Sequence, residues 1–196
     1  MSWGMLHYMH HGGNMKKPSY VDFEPSTYEW RNDVNYRDNP QLYRIGKGQQ
    51  GVLTCEPYKS EICQHWRFKT PQIAMESSTK ILQMFYDYLK AEDFVGADMA
   101  KKFLHMGFTR SRRYANHPSG RKWQKVTDKW EILPFAKDRM ESEKAHSADI
   151  FYAAWKEARE NEQYLKLKKS HRSKHEKKEI MLIDGLNMFI RNYIVA

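Results

Sequence analysis

The sequence predicts a helix-rich α+β fold, and three observations carry that expectation. Thr70-Pro71 is followed by apolar residues at Ile73, Met75, Ile81, Leu82, Phe85 and Leu89, a helical stripe that reaches about residue 90. Gly46, Gly48 and Gly51 open a β-prone stretch, Val52-Leu53-Thr54-Cys55, that ends near Pro57. Hydrophobic residues make up 40% of the 196 positions and aromatics 14%, enough for a packed interior that leans on large rings as much as on aliphatic chains.

The elements follow in chain order. Residues 1–19 read as an extended leader with a bend at His10, His11, Gly12 and Gly13. Residues 20–48, rich in Tyr, Asp, Asn and Pro, read as loop with short turns. A minor sheet is expected from about residues 40–70, formed by Val52–Cys55 and an extended piece at His65-Trp66-Arg67-Phe68. Thr70 as N-cap and Pro71 at the first helical position start the first long helix. A second is expected over 93–106, with Val95, Met99, Phe103, Leu104 and Met106 apolar and Gly107 ending it. Arg110–Tyr114 adds a helical turn before the loop Asn116-His117-Pro118-Ser119-Gly120. A third long helix is expected from about 147, capped by Ser147, with Ile150, Phe151, Ala154, Trp155 and Ala158 as its apolar positions. Its charged continuation over 160–179 reads as a projecting helix or a linker. The chain is thereby divided into a leader (1–19), a globular domain (20–170) and a tail (171–196) that combines a charged linker with a strand-helix piece.

Composition excludes several classes. No apolar run reaches 18 residues, so no transmembrane helix is expected and no membrane partner. The first fourteen residues lack the charged start and continuous apolar stretch of a signal peptide. Only Cys55 and Cys63 are present, which points to a reducing compartment and a cytoplasmic location.

The formal net charge is +9, and it is unevenly spread. Residues 101–140 hold eleven basic and three acidic side chains, nearly the whole excess. Concentrated Lys and Arg raise the local potential and draw anions in, whereas scattered charges are screened. The run Lys101, Lys102, Arg110, Arg112, Arg113, Arg121, Lys122, Lys125, Lys129 is interleaved with Phe103, Phe108, Tyr114, Trp123 and Trp130. Cations for phosphates and flat rings for bases are the two ingredients of a nucleic-acid groove. A solvated helix face, with the rings in the core, is the plainer alternative.

Two clusters supply candidate anion-binding residues. Lys59, His65 and Arg67, with Tyr58 beside them, offer a point charge, an imidazole and a bidentate fork. Arg110, Arg112 and Arg113 lie within four positions and cannot all face one way on a helix, and they repel unless acids or a bound anion compensate. Asn116 and His117 follow, and Arg121 and Lys122 add charge after the Gly120 turn. Nucleic acid or another polyanion is the expected partner. The competing expectation is an enzyme for a phosphorylated or otherwise anionic small molecule, with Tyr58, Lys59, His65, Arg67, Asn116 and His117 converging in one cleft for proton transfer and charge binding.

No cofactor or metal is expected. Cys55, Cys63 and His65 lack the short paired spacing of zinc modules, and His171 and His175 share a helix face without a metalloprotease motif. Phosphate-loop, dinucleotide and nucleophile-elbow patterns are missing. Ile180–Asp184 followed by Gly185 and an apolar segment reads as strand, acid, glycine, helix, the way metal-dependent nucleases place a first carboxylate, but no further carboxylates follow Asp184.

Tyr43-Arg44-Ile45-Gly46-Lys47-Gly48, Glu56-Pro57-Tyr58-Lys59-Ser60-Glu61-Ile62, His65-Trp66-Arg67-Phe68-Lys69-Thr70-Pro71, Phe94-Val95-Gly96-Ala97-Asp98-Met99-Ala100 and Arg113-Tyr114-Ala115-Asn116-His117 stand in order along the chain. Through them residues 20–170 resemble the family called domain of unknown function 4385, found in bacteria, fungi and cyanobacterial phages. That resemblance implies a shared domain and carries no activity with it. The stretch Leu182-Ile183-Asp184-Gly185-Leu186-Asn187 looks like the first strand of phage exonucleases of the flap-endonuclease type, in which the matching Asp is a metal ligand.

Overall fold

Helix packing organises the computed structural model, which describes residues 29–46, 49, 51–127 and 129–176. The leader and the strand-helix piece around Asp184 lie outside the described residues. Five α-helices and one hairpin are described: α1 (Tyr58–Cys63), α2 (Pro71–Lys90), α3 (Phe94–Asn116), β1 (Trp123–Val126), β2 (Lys129–Ile132), α4 (Glu143–Glu160) and α5 (Glu162–His171). Helices α2, α3 and α4 pack mutually, α5 folds back on α3 and α4, and α1 rests on α3. The class is the helix-rich α+β one expected, with a different sheet.

That sheet is a correction. Val52–Thr54 forms a turn of 3-10 helix and residues 65–68 are loop, so no strand is described between 40 and 70 apart from an isolated bridge of Asn35 to Glu56. The observed two-stranded antiparallel sheet is β1–β2. Its register pairs Trp123 with Ile132, Gln124 with Glu131, Lys125 with Trp130 and Val126 with Lys129. Val52 and Cys55 are fully buried, so the apolar character of this stretch serves the core from a turn and not from a strand.

Helix boundaries follow capping where capping is local. Thr70 accepts from the Ile73 amide at 3.3 Å, and α2 starts at Pro71 as expected. Helix α4 starts earlier than expected, at Glu143, because Ser142 accepts from the Ala145 amide; Ser147 is buried one turn inside and bonds the Glu143 carbonyl at 2.9 Å. Asn161 caps α5 by accepting from the Tyr164 amide at 2.9 Å. The charged continuation past 160 therefore does not project, and it buries Tyr164 and His171.

Helix α3 continues through Gly107, which was expected to end it. A Cβ at this position would stand 2.3 Å from the Phe151 ring of α4, so the glycine lets two helices approach closely. The first seven residues of α3, Phe94–Ala100, are all buried. A helix buried on every side in this way is a central one. Around it sits an aromatic shell. Trp30 stacks on Tyr43 with ring centroids 5.0 Å apart, and Tyr43 also meets Tyr36, Phe94 and His171 edge-on.

One carboxylate lies at the centre of this shell. Asp98 is fully buried. It accepts hydrogen bonds from the Tyr43 hydroxyl, from Tyr164 at 2.7 Å and from Lys101 Nζ at 2.5 Å, with Lys102 Nζ 3.9 Å away. Lys102 donates to the Gly46 carbonyl at 2.8 Å and stands 5.2 Å over the Trp30 ring. Burial alone pushes the Asp98 carboxyl up, but the two ammonium groups and the hydrogen bonds from Lys101 and Tyr43 outweigh it and hold the group below its ordinary range. Removing one partner of a buried pair strands the other charge, at a cost of roughly 3–5 kcal/mol.

Asp98→Asn is therefore expected to lower the unfolding free energy at neutral pH by about 3–5 kcal/mol, read from urea titration. The sign with pH follows from the lowered folded value. The contribution is complete above the unfolded carboxylate pKa of about 3.9 and is lost as pH falls from there toward the folded value, so the gap between wild type and variant narrows in acid.

Candidate functional site

Apart from Lys129, which is exposed on β2, the basic run splits into three destinations. Lys101 and Lys102 turn inward to Asp98. Arg112 turns to α4, where its guanidinium meets Asp149 at 2.7 Å and the Arg139 carbonyl at 3.3 Å. Arg110, Arg113, Arg121, Lys122 and Lys125 converge on a cleft of about 1340 Å³.

Helical geometry explains the division on α3. Met106, Arg110 and Arg113 stand at i, i+4 and i+7, one stripe of the helix, and all three line the cleft. Arg112 is two residues, or about 200°, from Arg110 and faces away. The opposite wall is the β1–β2 ribbon with its approach: Ser119, Gly120, Arg121, Lys122, Trp123, Gln124, Lys125, Trp130 and Leu133. Gln49, Gly51, Leu53 and Thr54 close one end. Five cations line this cleft, and no described carboxylate does. Among the described residues Arg110, Arg113 and Arg121 have no acidic partner, and Lys122 Nζ stands 5.5 Å from the Trp123 ring.

The ribbon is held mainly at its base. The Leu133 amide donates to the Lys122 carbonyl, and the Ala136 amide to the Asn116 carbonyl, both at 2.9 Å. Within the strands only Trp123 and Trp130 are half-buried, and every other described side chain is exposed. Gly120 provides the entry turn. Its φ is +72°, and a Cβ there would stand 2.6 Å from the Tyr114 ring.

The remaining expected site residues lie elsewhere. Lys59 pairs with Glu56 at 3.0 Å, and the Tyr58 hydroxyl donates to Asp93. His65 and Arg67 border a separate small hollow beside α2, and the Arg67 guanidinium is tied to the Cys63 and Trp66 carbonyls. Asn116 anchors the ribbon base through its carbonyl. His117 is buried against the Phe135 ring, and its Nδ1 has no partner among the described residues. None of the clefts described brings Tyr58, Lys59, His65, Arg67, Asn116 and His117 together, in contrast to the expected constellation. Cys55 is buried, and burial pushes its thiol up, so it stays protonated. Among the described residues no group of three His, Cys, Asp or Glu side chains is arranged to hold a metal, and no helix is long and apolar enough to cross a membrane.

Gln49, Leu53 and Gln124 complete the cleft without having been among the expected residues, whereas Lys125 belongs to the basic run read from the sequence. Lys125 stands two residues after Trp123 along β1 and so shares its face of the ribbon.

Fold and cleft together define a helix-rich α+β domain with a large basic groove. The chain belongs to the family described as Domain of unknown function (DUF4385), whose model matches residues 27–174 and so takes in all five helices and the ribbon. No curated protein and no solved structure matches the chain.

Gly120→Ala is expected to cost about 1–2 kcal/mol for the left-handed backbone alone. Thermal unfolding should show the midpoint lowered by roughly 2–8 °C. An unchanged midpoint would mean that the turn adapts without strain.

Proposed function

We propose that this domain binds nucleic acid through the cleft between α3 and the β1–β2 ribbon. The observation that carries the reading is the cleft's one-signed lining: Arg110, Arg113, Arg121, Lys122 and Lys125, with no described carboxylate among them. Like charges held together raise one another's energy, and an anion lowers it; a groove with low-dielectric walls strengthens that attraction. Guanidinium forks suit phosphate oxygens, and a row of them fits a polymer of phosphates. The indoles of Trp123 and Trp130 provide apolar contact for bases within the same cleft.

The test is binding of labelled oligonucleotides by the full chain across a salt series. With four or five phosphates neutralised, affinity should fall roughly 50- to 500-fold between about 50 and 200 mM salt. Arg110→Ala with Arg113→Ala should weaken binding at every sequence and flatten the salt slope by about one for each arginine removed. Arg112→Ala, which breaks only the contact to Asp149 and Arg139, should leave affinity within about twofold. Flat salt dependence, or equal losses in the two variants, would remove the basis of the proposal.

A further inference from the structure

The ribbon's register says which kind of nucleic acid fits. Side chains alternate along a strand, and directly paired residues share a face. Trp123, Lys125, Trp130 and Ile132 therefore stand on one face, and Gln124, Val126, Lys129 and Glu131 on the other. Both indoles and Lys125 line the cleft. The other face is mixed: it carries Glu131 and Val126 beside Lys129 and Gln124, and both indoles are on the opposite face. A ribbon that reads a duplex groove presents its contacts outward, whereas this one turns its rings into the cleft.

Trp123 and Trp130 are diagonal neighbours across the ladder, about 7–8 Å apart at the backbone. That is about twice the ~3.4 Å repeat along one strand of nucleic acid, so the two rings can bracket or follow a base. Among the described residues neither ring meets another aromatic ring, and the Lys122 ammonium stands 5.5 Å from the centre of the Trp123 ring, where it adds a cation beside a stacked base. Paired bases hide their own faces in the stack; unpaired bases expose them. The cleft, at about 1340 Å³, also exceeds the roughly 300–1,000 Å³ of pockets for single small ligands, which favours several linked nucleotides over a mononucleotide.

We infer that the cleft takes single-stranded nucleic acid, its phosphates along Arg110 and Arg113 on the helix wall and its bases stacked on Trp123 and Trp130 of the ribbon. This rests on the cleft being a nucleic-acid site and adds the strandedness and the two stacking residues. The stacking is sequence-tolerant, because every base has a flat face.

The experiment uses the full chain and three probes at low salt: a single strand of roughly 12 nucleotides, within the usual site sizes for such grooves, the matching duplex, and inorganic polyphosphate. Binding is followed by fluorescence anisotropy of the labelled single strand, with the other two as competitors. The single strand should bind more tightly than the duplex. Trp123→Ala with Trp130→Ala should weaken the single strand about 10- to 100-fold, while competition by polyphosphate against the remaining binding stays within about twofold of its wild-type strength. Trp123→Phe with Trp130→Phe should restore most of the affinity, which separates loss of a ring from loss of the fold, and circular dichroism of both variants confirms that they fold. A duplex that binds as tightly as the single strand, or alanine variants that lose polyphosphate and single strand equally, overturns the inference while leaving the cleft a polyanion site. Failure of every probe to bind overturns the nucleic-acid reading itself, and this inference with it.

Discussion

The fold turns on a single buried negative charge. Asp98 sits where α3 passes beneath Tyr43 and Tyr164, and its oxygens are shared among two hydroxyls and Lys101, with Lys102 close by. Each of those partners belongs to a different requirement. Tyr43 fixes the segment that precedes α1, Tyr164 fixes α5, and the lysines belong to α3 itself. A carboxylate in a dry interior is tolerated only when its lone pairs are filled. The position of the segments around it is therefore set jointly, and not one contact at a time. His171 extends the arrangement by donating to the Tyr43 carbonyl at 2.9 Å, and Glu176 by accepting from the Ile45 amide at 2.8 Å.

This constraint also decides what the surface can offer. Two of the cations that open the basic run are spent inside the molecule, and a third, Arg112, is spent on α4. The cations left on the cleft come from the second half of α3 and from the ribbon. Helix α3 thus has two regimes in one continuous element. Its first two turns are buried on all sides, and its last three expose a stripe bearing Arg110 and Arg113. The buried end fixes where the exposed stripe stands.

Some of this was legible from residues alone. Thr70-Pro71 announced α2 because a cap acts within one turn, and the clash of three arginines on a single turn correctly implied that they diverge. Other features depend on partners far along the chain. Gly107 looks like a terminator until Phe151 is brought against it. Ser147 looks like a cap, yet Ser142 holds the position by being one turn nearer the loop. Lys102 looks like solvent-facing charge until Asp98 and the Gly46 carbonyl are placed beside it. The ribbon was hardest to see. It has no core-facing row of aliphatics, and its turn uses Thr127 at φ +54°, a conformation usually announced by Asn or Gly.

The tethering of the ribbon at its base separates two kinds of selection. In the strands Trp123–Val126 and Lys129–Ile132 every side chain but the two indoles is exposed, so substitutions there disturb few interior contacts and carry little penalty in folding. The helical body, by contrast, admits few changes around Asp98 without collapse. The hairpin is thus the part of the molecule most open to redesign, because its surface can be rewritten while the scaffold stays constant.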